Sequence, residues 1–145
     1  MDTVGSNKYT ACFHSRLPEV KDKLSEITSF LLKSIPSITK ENSNELKLIF
    51  SELLCNAVIH GNKLDERKSV SVYIEIENNN ISSIVKDEGS GFDYTNLINS
   101  ITNDETALYS ESGRGIWLVY ALSDTLSFNI KGNEIKFKKR LGKNG

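Results

Sequence analysis

Three groups of residues in this 145-residue chain have types and spacings that could do chemistry. Glu52, Asn56 and His60 recur every four residues inside an otherwise apolar run. At about 100° per residue they spread over only about 80° of a helix, so a carboxylate, an amide and an imidazole would share one stripe. A solvated flank and the lining of a site both fit such a stripe. The second group, Asp87-Glu-Gly-Ser-Gly-Phe92, follows a strand-like run directly and sets a carboxylate beside two residues without side chains. The third, Gly113-Arg-Gly115, precedes the apolar run 116–122. A glycine pair opening a helix lets the backbone approach a phosphate, with free N–H groups and the positive helix end aimed at it, although it can equally be a plain turn. It is not a Rossmann fingerprint, because the third glycine and the βαβ setting are missing, and no Gly-Lys-Ser/Thr of a P-loop follows.

The elements that must position these groups are readable from periodicity. Leu46, Ile49, Phe50, Leu53, Leu54, Ala57 and Val58 recur at helical spacing and predict a helix with a wide buried face. Asn42 or Ser43 would cap it and Gly61 would end it. An earlier helix runs from Pro18, with Glu19 in its first turn, to about Ser34, and Pro36 closes it. Residues 8–15 have the content of a first strand, with His14 read as filler. Residues 69–77 alternate cleanly, with Val70, Val72, Ile74 and Ile76 on one side, and residues 81–85 return after an asparagine turn. Residues 125–130 and 134–139 form a second hairpin about Gly132-Asn133. Between the two hairpins, residues 93–112 show no period and predict a mobile loop of a length that tends to be functional. The order β-α-α-β-β-loop-α-β-β predicts an α+β fold. It would be a two-layer α/β sandwich whose mixed, mostly antiparallel sheet carries three helices on one face.

Composition bounds the rest. The length suits a single domain, 1–145, with an ordered core of about 8–140. Eighteen basic residues against 19 acidic ones give a net charge of -1. That balance argues against nucleic-acid binding through bulk charge. The local run Lys136-Phe-Lys-Lys-Arg140 fits a strand with one solvated face. Cys12 and Cys55 sit in apolar contexts and are expected as buried free thiols in a reducing compartment. Trp117 is expected in the core. Without a leader or an apolar run of about 18 residues, the chain is expected in the cytoplasm, away from membranes.

Taken together and in this order, the motifs resemble the Bergerat-fold (GHKL) ATP-binding superfamily of DNA gyrase B subunits, Hsp90 chaperones, histidine kinases and MutL. Glu52-Leu-Leu-Cys-Asn-Ala-Val-Ile-His60 looks like its N box, Asp87-Glu-Gly-Ser-Gly-Phe92 like its first glycine box and Gly113-Arg-Gly-Ile-Trp-Leu118 like its second. The likeness covers roughly residues 8–140. The short chain and the wording of the N box look most like the bacterial anti-sigma-factor serine kinases of the RsbW and SpoIIAB type.

That resemblance implies ATP or ADP and Mg2+ as cofactors. Asn56 would hold the metal through its side-chain oxygen, which suits a hard cation beside phosphates. Glu52 would be the general base, the catalytic residue that takes the proton from an incoming hydroxyl. Asp87 would accept the adenine amine, and Gly89 and Gly91 would keep the wall under the base open. Gly113, Arg114 and Gly115 would offer N–H groups to phosphates, and residues 93–112 would be the lid. His60 is expected to cap the helix end rather than touch phosphate. Related sequences carry a threonine in the last hairpin that supports the aspartate, whereas this chain has Gly132-Asn-Glu134, where a water or Asn133 could substitute.

The implied function is a protein-serine kinase that holds a sigma factor inactive and phosphorylates an anti-anti-sigma protein, working as a homodimer. The alternatives are a nucleotide-sensing regulator without phosphotransfer, against which Glu52 argues, and the catalytic domain of a two-component histidine kinase. The latter needs a phosphoacceptor histidine on a dimerising helix, and neither His14 nor His60 suits.

Overall fold

The sheet is built from side chains that alternate. In a computed structural model of the chain, which describes residues 6–94, 96, 97, 99 and 111–142, Val70, Val72, Ile74 and Ile76 are all buried. They point to one face of strand β2 (Ser69–Glu77), the strand with the clean sequence alternation. Its neighbours are β1 (Ser6–His14) on one side and β3 (Asn80–Lys86) on the other, followed by β5 (Glu134–Arg140) and β4 (Thr125–Phe128). The order is β1-β2-β3-β5-β4, and every pair among the described residues is antiparallel. The expected mixed sheet is therefore antiparallel throughout. The register aligns Phe13 with Val70, Val72 with Val85 and Val85 with Ile135, so one continuous apolar face crosses four strands. The turn between β2 and β3 is made by Asn78 and Asn79 with φ of 50° and 64°. Asparagine tolerates that left-handed region better than most residues.

Among the described residues, three long helices pack with the sheet and complete an α+β fold. Helix α1 (Leu17–Ser34) has Pro18 and Glu19 in its first turn and buries Val20, Ile27 and Leu31. Helix α2 (Lys40–Asn56) is capped by Thr39, whose side-chain oxygen accepts the Asn42 N–H at 3.0 Å, three residues ahead of the expected cap. Its Leu46, Ile49, Phe50, Leu53 and Leu54 are fully buried, and Phe50 meets Phe137 of β5 edge-on with ring centroids 5.4 Å apart. Burial of this kind stabilises by roughly 1.5–3 kcal/mol per large side chain. Helix α3 (Glu111–Leu122) lies against α2. Lys139 ties both helices to the sheet, pairing with Glu45 at 3.1 Å and donating to the Leu122 carbonyl at 2.7 Å, where the negative helix end welcomes a cation.

Several expectations are corrected. Helix α3 starts five residues early, so Gly113 and Gly115 lie inside it. The backbone is already helical at Tyr94, Asn96, Leu97 and Asn99, and residues 100–110 of the expected lid lie outside the described residues. Trp117 is exposed instead of buried in the core, because Gly115, Ile116 and Val119 form the inward side of α3. Two residues beyond Gly115 is about 200° around the helix. Cys12 is exposed on the open face of the sheet, one residue before the inward Phe13, and Cys55 is half-buried. Both are free thiols. None of the described helices is long and apolar enough to cross a membrane.

Candidate functional site

Helix α2 is regular through Asn56, so Glu52 and Asn56 stay one turn apart on one side of it. Glu52 is half-buried and Asn56 is 8% exposed. Among the described residues the Asn56 amide has no hydrogen-bond partner. Beyond it the chain widens into a π-helical turn, Ala57–Gly61, closed by the Asn62 N–H on the Ala57 carbonyl at 2.8 Å. The Leu64 N–H then reaches the Val58 carbonyl at 2.8 Å, with Lys63 and Leu64 both left-handed. π-turns inside helices are frequent at functional sites. His60 lies inside this turn and is exposed. Glu52 and Asn56 remain as the pair.

Asp87 ends β3 and is 5% exposed, with its carboxylate accepting the Gly89 N–H at 2.7 Å. Burial pushes its carboxyl above the usual aspartate range, against the opposing pull of the Gly89 N–H and the charges of Lys131 and Lys68. The surroundings are packed backbone to backbone. A side chain at Gly61 would run into the Asp87 carboxylate, and one at Gly89 would meet the Gly61 carbonyl. Gly91 has φ of 99° and lies against the Lys131 carbonyl, a conformation and a clearance that only glycine meets without strain. Next to it Tyr94 is buried, stacked on Phe128 at 4.8 Å and tilted on Phe92 at 5.0 Å. Burial, and then the Asp87 charge, push the Tyr94 hydroxyl up to about 12.

The second glycine box packs on the N box. A side chain at Gly115 would collide with the Glu52 carboxylate, so its bareness makes room for that group. Gly113 and the exposed Arg114 fall in the first turn of α3, whose N–H groups lack intrahelical partners. Gly115, the fifth residue of the helix, lies past the N–H groups that a helix start leaves open. It packs closely on Glu52.

Sequence reasoning missed Asn62 and Asn129. Asn62 is 1% exposed and joins three elements through its side chain, while Asn129 organises the β4–β5 turn. An asparagine directly after the glycine that ends an apolar helix was the available signal. Asn133, considered as a stand-in for the missing threonine, reaches the main-chain oxygen of Asp87 at 3.1 Å, not its carboxylate.

A two-layer α+β domain whose most buried helix carries a polar pair between two glycine-bearing segments is one architecture, and comparison with known proteins gives it a family. Residues 13–139 match the histidine kinase-like ATPase domain, and the chain belongs to that family. Among curated relatives, it is similar to an anti-sigma F factor of Clostridium perfringens (strain SM101 / Type A), with 29% identity over 118 residues that cover 79% of this chain and 83% of the relative. It is also similar to the serine-protein kinase RsbW of Staphylococcus aureus (strain MSSA476), at 27% identity over 111 residues, 72% of this chain and 70% of that one. An anti-sigma F factor of Lysinibacillus sphaericus is 26% identical over 117 residues, 79% of each chain.

Proposed function

We propose that this protein is an ATP-binding anti-sigma factor and protein-serine kinase. It would sequester a sigma factor and phosphorylate an anti-anti-sigma protein on serine. The observation that carries the reading is that the N box and the glycine directly after it touch both glycine boxes at once. Gly61 abuts the Asp87 carboxylate, and Glu52 abuts Gly115 at the start of α3. One nucleotide lying along α2 would then have its base at Asp87 and its phosphates at the first turn of α3. The names of the relatives, anti-sigma F factor and serine-protein kinase, support the same reading. The likeness of the three motifs to the anti-sigma-factor serine kinases further leads us to expect a homodimer acting in the cytoplasm.

In this reading Asp87 accepts the adenine amine, and Gly89 and Gly91 leave the wall under the base bare. The N–H groups at Gly113 and Arg114 face the phosphates. Mg2+ fits the Asn56 end, because a nearly buried amide without a partner among the described residues offers a neutral oxygen to a hard cation. Among the described residues no group of three His, Cys, Asp or Glu side chains could cage a metal. When bound, the ion would offset the charge of the phosphates. Glu52, one turn earlier on the same face, takes the proton of the incoming serine hydroxyl.

Incubation with γ-labelled ATP and candidate single-domain antagonists is the test. Label on a serine of one of them is the expected result, with complex formation between the unlabelled antagonist or a sigma factor and this chain seen by gel filtration. Nucleotide binding without transfer to any of them would favour a sensor instead. Replacing Asn56 by alanine should abolish most of the Mg2+-dependent gain in ATP affinity, by about tenfold, and leave binding in EDTA nearly unchanged. Equal losses with and without metal would remove Asn56 from the ligand set.

A further inference from the structure

The peptide unit that joins Asp87 to Glu88 has both of its polar groups taken by asparagine side chains. Its carbonyl accepts from Asn133 Nδ2 at 3.1 Å, and its N–H donates to Asn62 Oδ1 at 2.8 Å. The Asp87 N–H adds a third link, to the Asn133 carbonyl at 2.9 Å. Both asparagines are buried, at 1% and 7% exposure.

Neither amide can turn around without losing partners. Asn62 Nδ2 donates to Ser15 Oγ at 2.6 Å and to the Ser69 carbonyl at 3.0 Å, which leaves its oxygen for the Glu88 N–H. Asn129 Oδ1 accepts the N–H groups of Gly132, Asn133 and Glu134 at 2.8, 3.0 and 3.1 Å. Its nitrogen must then donate, which it does to Asn133 Oδ1 at 2.7 Å, and that leaves Asn133 Nδ2 for Asp87. A chain of bonds so determined has one arrangement. It anchors the peptide to two places, the end of the π-turn behind α2 and the β4–β5 turn.

The carboxylate itself receives only the Gly89 N–H among the described residues, although a carboxylate has about four lone-pair sites. The backbone is held firmly and the side-chain oxygens are left open, as a group reserved for a ligand would be.

We propose that Asn62 and Asn133 are positioning residues that clamp the peptide following Asp87 and thereby set the selectivity of this chain for a 6-amino purine over a 6-oxo purine. The inference rests on the nucleotide reading given above and extends it to residues outside the three motifs. A 6-amino group donates to the carboxylate, whereas a 6-oxo group opposes one acceptor with another. Discrimination between them depends on where the carboxylate is held.

The test compares ADP with inosine diphosphate by calorimetry. For wild-type protein, ADP should bind more tightly, and Asn133→Ala should shrink the ADP-to-IDP affinity ratio by about tenfold, the effect of freeing a buried hydrogen-bonded group. Asn133→Asp keeps the size and the acceptor but removes the donor to Asp87. It should shrink the ratio as much, and it serves if the alanine variant does not fold. A folded variant whose ratio stays within twofold of wild type overturns the clamp, even if both affinities or the melting temperature fall, since a purely structural role would act on both ligands alike. Failure of the wild-type protein to bind ADP would instead overturn the nucleotide reading itself.

Discussion

Glu52→Gln should leave ADP and ATP affinity within about twofold of wild type and lower serine phosphorylation by roughly 10²–10⁴-fold, the range ordinarily supplied by a positioned base. The change is nearly isosteric. It keeps the side chain in the space that Gly115 leaves for it, so the packing of α3 on α2 should survive. It removes a charge from beside the proposed phosphates, which would, if anything, strengthen nucleotide binding. A glutamine amide cannot take a proton at neutral pH, so loss of transfer with retained binding isolates the base role. Transfer at a rate near wild type would show that the serine loses its proton to some other group, and Glu52 would then be a packing partner of Gly115 only. Single-turnover transfer from labelled ATP, alongside calorimetry with ADP, separates the two results.

The pair that carries this expectation was legible in the sequence because α2 is a regular helix up to Asn56. The π-turn that follows and holds His60 was not legible, since it depends on where the Asn62 and Leu64 N–H groups find carbonyls, and apolar residues 57–59 give no sign of it. Strand β2 was legible to the residue because its alternation is uninterrupted and both neighbouring strands share its buried face. The start of α2 was not. Thr39, Asn42, Ser43 and Asn44 are all competent caps within six residues, and the choice fell to the one whose oxygen lies over the Asn42 N–H. For α3, the apolar run 116–122 predicted a helix but not its rotation. That is set by the contact between a bare Gly115 and Glu52, two residues far apart in sequence, and it leaves Trp117 facing outward. The asparagine clamp was illegible for a similar reason. Asn62, Asn129 and Asn133 read locally as turn residues, and their shared purpose depends on two loops meeting at Asp87.

Asp87→Asn should weaken ADP and ATP alike, by roughly 10- to 100-fold, while leaving the nucleotide-free protein at least as stable at neutral pH. The binding loss follows from exchanging an ionised acceptor for an amide. A hydrogen bond to a charged group contributes about 1.5–3 kcal/mol, and with Oδ1 kept by the Gly89 N–H, the new NH2 would confront the adenine amine donor to donor. The stability change has the opposite sign. Burial raises the folded-state pKa of Asp87 above its unfolded value. Stability from such a group is fully present below the unfolded pKa and is lost as pH rises through the folded pKa, so at neutral pH the ionised carboxylate is a net cost of the nucleotide-free fold. Asparagine removes that cost. The melting temperature of the variant should therefore meet or exceed that of wild type near pH 7, with the gap closing as the pH falls through the acid range above the usual aspartate pKa. Over the same window wild-type ADP affinity should decline, because protonation converts the acceptor into a donor. Equal ADP affinity in the two proteins would remove Asp87 from base recognition. A variant that melts well below wild type at pH 7 would mean that the lysine charges and the Gly89 N–H outweigh burial. The two measurements are independent, and only a carboxylate kept in place for a ligand, at some expense to the fold, gives both results together.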